Sequence, residues 1–144
     1  MELDKLDKVA LLARARESEA ATALHREQQQ LGASNERLDQ LQSFKSEYEA
    51  RLEAMGKGGI DARQLADYRR FLANLSDVIK MQSQEVDRSQ ERVEASRENF
   101  VDKTLRRGSV DELIGRSRAA LAQQEARQEQ KSSDESTLAR YQRE

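Results

Sequence analysis

The 144-residue sequence has no proline, no cysteine and no tryptophan, and it has only one histidine. The lack of cysteine excludes a disulfide framework, and with one histidine a structural zinc site is not expected. The longest apolar run, VALLA at 9–13, is far shorter than the roughly 20 residues that span a bilayer, so we expect no direct membrane insertion. Aromatic residues make up only 4% of the chain. An ordinary compact core is therefore not expected, which leaves disorder or helices with a narrow apolar seam.

A large excess of positive or negative charge is also lacking, because the sequence has 25 basic and 27 acidic side chains and a net charge of −2. This balance gives no bulk attraction to polyanions, so we expect no nucleic-acid partner. The GKGG stretch at 56–59 lacks the strand and the spacing of a phosphate-binding loop. His25 has no second ligand at metal-binding spacing. We therefore expect no catalytic residues, no metal and no cofactor, and we interpret the chain as an interaction protein rather than an enzyme.

What the sequence does contain is a strong seven-residue period. Every seventh residue from Leu3 to Leu52, and every seventh residue from Leu6 to Met55, forms a track that is apolar at most positions and flanked by charged residues. A third track of the same period runs from Leu65 to Leu121 and is broken only by Arg107. The fourth track, which accompanies it along the same segment, becomes polar early. The pattern predicts an all-α fold of two long helices that form an antiparallel coiled-coil hairpin.

Three of the six glycines stand between the two periodic segments, at Gly56, Gly58 and Gly59. Glycine just past a helix end readily takes the left-handed backbone conformation that stops the helix. Asp61 can then cap the next helix, and Gln64 completes the capping-box spacing. The stretch therefore predicts a tight turn between one helix and the next.

These signals divide the chain into four segments. We expect a first helix over 1–55, a turn over 56–60, a second helix over 61–118, and a polar overhang over 119–144 that is helical or partly disordered. Around Gly108, the Arg-Arg-Gly-Ser sequence is compatible with either a kink or an unbroken helix, and both alternatives stay open.

Two groups of side chains exceed what a plain coiled coil needs. Phe44, Phe71 and Val78 lie beside the seam rather than on it, and either broaden the seam or form a partly exposed protein-binding patch. At the terminal end, Arg14 and Arg16 come near the level of Arg106 and Arg107. These four arginines are either solvated surface charge or a basic collar that meets an acidic partner.

The segment FKSEYEARLEAMGKGGIDARQLADYRRFLANLSDVI, residues 44–79, resembles the flagellar export protein family FliJ. The likeness comprises a tyrosine-bearing helix end, an M-G-x-G turn followed by isoleucine, and a Y-x-x-F-x-x-x-L run that opens the second helix. The resemblance covers about a quarter of the chain by motif, and chain length and two-helix layout agree with it elsewhere.

The resemblance implies a cytoplasmic stalk, similar to the γ subunit of rotary ATPases, that works peripherally at the inner membrane at the flagellar base. It implies binding to the pore of the hexameric export ATPase FliI and to the export gate protein FlhA, with export chaperones as further candidate partners. We assign the ATPase contact to the four collar arginines. By position, the gate contact would comprise Arg37, Leu41, Phe44, Tyr48, Phe71, Leu75, Val78 and Gln82.

The competing interpretation is a structural spacer that dimerises through its heptads. Light scattering separates the two, because a self-folded hairpin has the mass of one chain and a dimer has twice that mass.

Overall fold

The computed structural model describes residues 2–143 and contains two helices, α1 (Glu2–Lys57) and α2 (Ala62–Arg143). The two helices pack against each other in antiparallel fashion, which confirms the all-α helical hairpin. No strand occurs within residues 2–143. The heptad period explains this result, because it gives each helix one apolar stripe that only a second helix can cover along its length.

The turn between the helices is shorter than the glycine cluster suggests. α1 continues through Gly56 to Lys57, and Gly59 is the residue with left-handed backbone angles, with φ at 82°. The amide of Gly58 donates to the carbonyl of Met55 at 3.2 Å, which closes the last turn of α1. The carboxylate of Asp61 accepts from the amide of Arg63 at 3.5 Å, at the position expected of an N-cap.

α2 is continuous through Gly108, so the unbroken helix is the alternative that the structure adopts there. Helix also continues across the polar overhang as far as Arg143, although residues 118–143 are all exposed. An exposed stretch of this kind receives no packing energy from α1. It remains helical because Ala, Gln, Glu, Arg and Lys, which dominate it, are good helix formers.

The described chain divides into two compact units. One comprises residues 20–100, and the other comprises the described residues up to Glu19 and from Val101 onward. In the first unit, the buried side chains are Ala20, Leu75, Val86, Ser89 and Val93. All of them lie on the predicted heptad tracks.

In the second unit, the buried residues are Ala10 and Ile114, again on the tracks. Two ion pairs show that the helices are antiparallel there, because the later residue of α1 pairs with the earlier residue of α2: Asp7 with Arg118 at 3.4 Å and Glu17 with Arg107 at 3.1 Å. Leu121, the last apolar member of its track, is 43% exposed. The apolar packing between the helices therefore ends before it.

Candidate protein-interaction surfaces

An aromatic cluster lies where α1 and α2 approach their common turn. The Tyr48 ring stands 4.7 Å from Phe44 and 4.8 Å from Phe71 between centroids, and Tyr68 joins it at 6.4 Å. Phe44 and Phe71 remain 42% and 38% exposed. The guanidinium of Arg51 lies 5.3 Å from the Tyr48 ring centroid, a cation–π contact. The cluster is therefore packed internally, yet open to a partner on one side.

The residues predicted to contact the export gate fall into two groups. Those on the surface are Arg37, Phe44, Phe71 and Val78, while those in the seam are Leu41, Tyr48, Leu75 and Gln82. Leu75 is only 8% exposed, whereas Val78 is 47% exposed. The side-chain amide of Gln82 donates to the carbonyl of Ser34 at 3.0 Å. The seam members thus hold the helices together, and the surface members are available for contact.

The four collar arginines are less alike than the sequence suggests. Arg107 lies in the seam and pairs with Glu17 at 3.1 Å and with Asp111 at 3.3 Å. Its hydrogen bond to Glu17, and then that to Asp111, raise the pKa of the guanidinium above its ordinary value. Arg14 shares Asp111, at 3.4 Å. Much of the positive charge of these two arginines is therefore neutralised within the chain.

Arg106 and Arg16 are the more available pair of the collar. Arg106 is 66% exposed at its side chain and reaches Asp102 only at 3.7 Å. Arg16 is exposed as well, and no carboxylate of residues 2–143 forms a salt bridge with it. The i, i+4 spacing of Asp102 to Arg106, and of Arg107 to Asp111, is the sequence signal that could have revealed the internal pairing.

Sequence reasoning missed an apolar groove beside this collar. A cavity of about 380 Å³ runs between the two helices, lined on its apolar side by Val9, Leu12, Ala13, Leu105 and Val110. The signal was present in the VALLA run, because five consecutive apolar residues on a helix cannot all face one seam.

A charged layer crosses the seam in the unit of residues 20–100. Arg92 pairs with Glu85 at 2.9 Å and with Glu27 of the opposite helix at 3.4 Å. The hydrogen bond from Arg92 is the largest cause that lowers the pKa of Glu85 below its ordinary value. One turn from Glu85, Ser89 is completely buried, and its hydroxyl has no hydrogen-bond partner among the described residues.

Within residues 2–143, no group of three or more His, Asp or Glu side chains is placed to hold a metal ion. Over the same range, neither helix has a stretch with the length and apolar character required to cross a membrane.

Fold and surfaces together define a class: an antiparallel helical hairpin that leaves groups of apolar and charged side chains exposed. The family model described as the Flagellar FliJ protein matches residues 1–144, the whole chain. The chain belongs to the FliJ family, which gives it a role related to flagellar export. No curated protein and no solved structure matches it significantly.

Proposed function

We propose that this chain is a non-enzymatic stalk and adaptor of the flagellar type III export apparatus. It binds the hexameric export ATPase FliI and the export gate protein FlhA, and it couples ATP hydrolysis to the export of flagellar proteins. It works in the cytoplasm, at the cytoplasmic face of the inner membrane, where export chaperones are further partners. Membership of the FliJ family supports the setting. The exposed aromatic cluster is the single observation that carries the adaptor role.

The gate contact rests on the cost of leaving large apolar side chains in water. Phe44 and Phe71 stand edge to face at 6.4 Å, and each exposes roughly two-fifths of its surface. Val78 follows Phe71 by seven residues on the same face of α2 and is 47% exposed. Rigid aromatic side chains beside an aliphatic one are typical anchors of protein interfaces, since they bury much area and lose little conformational entropy.

The test of the gate contact is the double variant Phe71→Ala with Val78→Ala, measured for binding to the cytoplasmic domain of the gate. We expect at least about fivefold weaker binding, as for interface anchors, with nearly unchanged helicity. Val101→Ala is the matched control, because Val101 is a valine of α2 that is 50% exposed and lies far along the helix from the cluster. Equal loss in the control, or loss of helicity with binding, would contradict an assignment to the cluster.

The ATPase contact is assigned to the collar of Arg14, Arg16, Arg106 and Arg107. A shaft inside a ring of six subunits meets six nearly equivalent surroundings. Charge pairs tolerate such changes of register, because their energy falls gradually with distance. Since Arg14 and Arg107 are engaged with Asp111 and Glu17, Arg16 and Arg106 carry most of the outward contact.

Charge reversal tests this contact. Arg16→Glu with Arg106→Glu should lower the stimulation of ATP hydrolysis and its dependence on ionic strength, while gate binding persists. Arg26→Glu with Arg97→Glu makes the same change of charge at exposed positions outside the collar and serves as the control. If the reversed and the control proteins stimulate hydrolysis equally at low salt, the ATPase contact lies elsewhere.

A further inference from the structure

The groove beside the collar exposes large apolar side chains that the contact between α1 and α2 does not cover. Val9, Leu12 and Leu105 are 48%, 52% and 66% exposed. They converge on one concave space of about 380 Å³ instead of being scattered singly. Isolated exposed leucines are common on soluble proteins, but a contiguous concave group marks a place where a partner is bound.

The rim of the groove carries a net positive charge. Arg16, Lys103 and Arg106 border it, and Asp102 is the one carboxylate among its lining residues. Asp102 lies 3.7 Å from both Lys103 and Arg106, so it is already shared between two cations. Three cations against one anion leave two positive charges for a partner to meet.

We propose that this groove binds one amphipathic α-helix of a partner protein, whose leucine-like row is flanked by Asp and Glu. On α1 the lining residues Val9, Leu12, Ala13 and Arg16 follow the i, i+3, i+4, i+7 spacing of a helix face. They extend over two turns, or about 10 Å. A helical row of apolar side chains spaced by single turns fits such a trough, as in other helix-in-groove complexes.

The charged rim also decides between this occupant and two others. A second copy of the chain would bring the same net positive rim against itself, which like-charge repulsion opposes. A lipid surface would meet the rim favourably, but a flat bilayer cannot reach side chains that line a concave trough. An acidic helix satisfies both the shape and the charge. This inference deepens the proposed function and rests on it for the biological role, since Arg16 and Arg106 belong to both.

A displayed peptide library tests the groove directly. The library has a fixed row of leucines on a helical scaffold, and its flanking positions are randomised over Glu, Gln, Lys and Ser. Selection on the full-length protein should enrich Glu at the flanks. The selected peptide, labelled for fluorescence anisotropy, should bind at least about tenfold more tightly than a matched peptide with Lys at those positions. No enrichment, or enrichment without Glu, overturns the proposal.

Variants locate the binding. Leu12→Asp with Leu105→Asp should weaken peptide binding about tenfold or more, because it places carboxylates in the apolar trough. Leu138→Asp is the control, since Leu138 is similarly exposed, at 63%, and does not line this groove. Arg16→Glu with Arg106→Glu should make the Lys-flanked peptide the better ligand. An equal loss in the Leu138 control, or an unchanged peptide preference after charge reversal, overturns the proposal.

Three further measurements separate the remaining outcomes. A dimer that Leu12→Asp dissociates would show a second copy as the occupant. Binding to phosphatidylglycerol–phosphatidylcholine vesicles that displaces the peptide would show a membrane; either result overturns the helix proposal. Saturating peptide should lower stimulation of the export ATPase. If the peptide binds but stimulation is unchanged, the groove stands and the proposed ATPase contact is the part that fails.

Discussion

Truncating Leu75 and Val78 should separate packing from binding within one turn of α2. Leu75→Ala removes three carbon groups from a side chain that is 8% exposed. At about 0.8 kcal/mol for each buried group, the transfer loss is about 2 kcal/mol, and the cavity left behind brings it to about 2–3 kcal/mol. Val78→Ala removes two methyl groups that are about half exposed, so the loss is about 0.8 kcal/mol. The better helix propensity of alanine offsets part of it, which leaves less than about 0.5 kcal/mol.

Urea unfolding followed by circular dichroism measures the first effect, and binding to the gate domain without urea measures the second. We expect Leu75→Ala to lower the unfolding midpoint clearly, while Val78→Ala leaves it nearly unchanged. For binding we expect the reverse order, because Val78 is exposed on the proposed contact surface. Comparable destabilisation by both variants would refute the assignment of Val78 to the surface. Stronger loss of binding for Leu75→Ala in a fully folded sample would refute its assignment to the seam.

Three further substitutions have signs that follow from the structure. Gly59→Ala should lower the free energy of unfolding by about 1 kcal/mol, because Gly59 has a left-handed φ. Gly108→Ala should raise the free energy of unfolding by about 0.5–1 kcal/mol, because Gly108 is helical with open space at Cβ; urea titration of both variants tests these signs. Ser89→Ala should raise the free energy of unfolding by about 1 kcal/mol, because it removes a buried hydroxyl without a partner, and a decrease in the same assay would contradict this. The pKa of Glu85 is lowered in the folded chain, so its contribution to stability is present above pH 4.5 and is lost as pH falls through the folded pKa. Glu85→Gln should therefore flatten the stability-against-pH curve in this acid range, and an unchanged acid slope would contradict the prediction.

The seam could be predicted from the sequence because a period of seven selects one face of a helix whatever residues occupy it. Ser89 shows this well: its track is largely polar, yet its side chain is completely buried. The turn was harder to place, since three glycines allow several stopping points and only Gly59 uses its conformational freedom. The VALLA run indicated an exposed apolar face, but the groove itself also depends on how far Leu12 and Leu105 stand apart across the two helices, which periodicity does not encode.

The partly neutralised collar shows another limit of the sequence. Four arginines can be counted, but their effective charge depends on which carboxylates of their own helix and of the opposite helix lie near them. Asp111 serves two of them at once, at 3.4 Å from Arg14 and 3.3 Å from Arg107. The pairs within α2 could be read from their i, i+4 spacing, whereas the pairs of Arg14 with Asp111 and of Arg107 with Glu17 join two helices and could not.

The ion pair between Glu17 and Arg107 also makes the alignment of the helices self-correcting. Many heptads offer a similar apolar layer, so a helix displaced by seven residues would still find apolar partners. Displacement in one direction would set Glu17 opposite Ile114, and in the other it would set Arg107 opposite Ala10, at two positions that are now buried. Either displacement places a charged side chain against an apolar one without its counter-ion, which raises the free energy of the displaced alignment. The pair of Glu17 with Arg107 therefore favours the native alignment over displaced alignments that the apolar residues alone would allow.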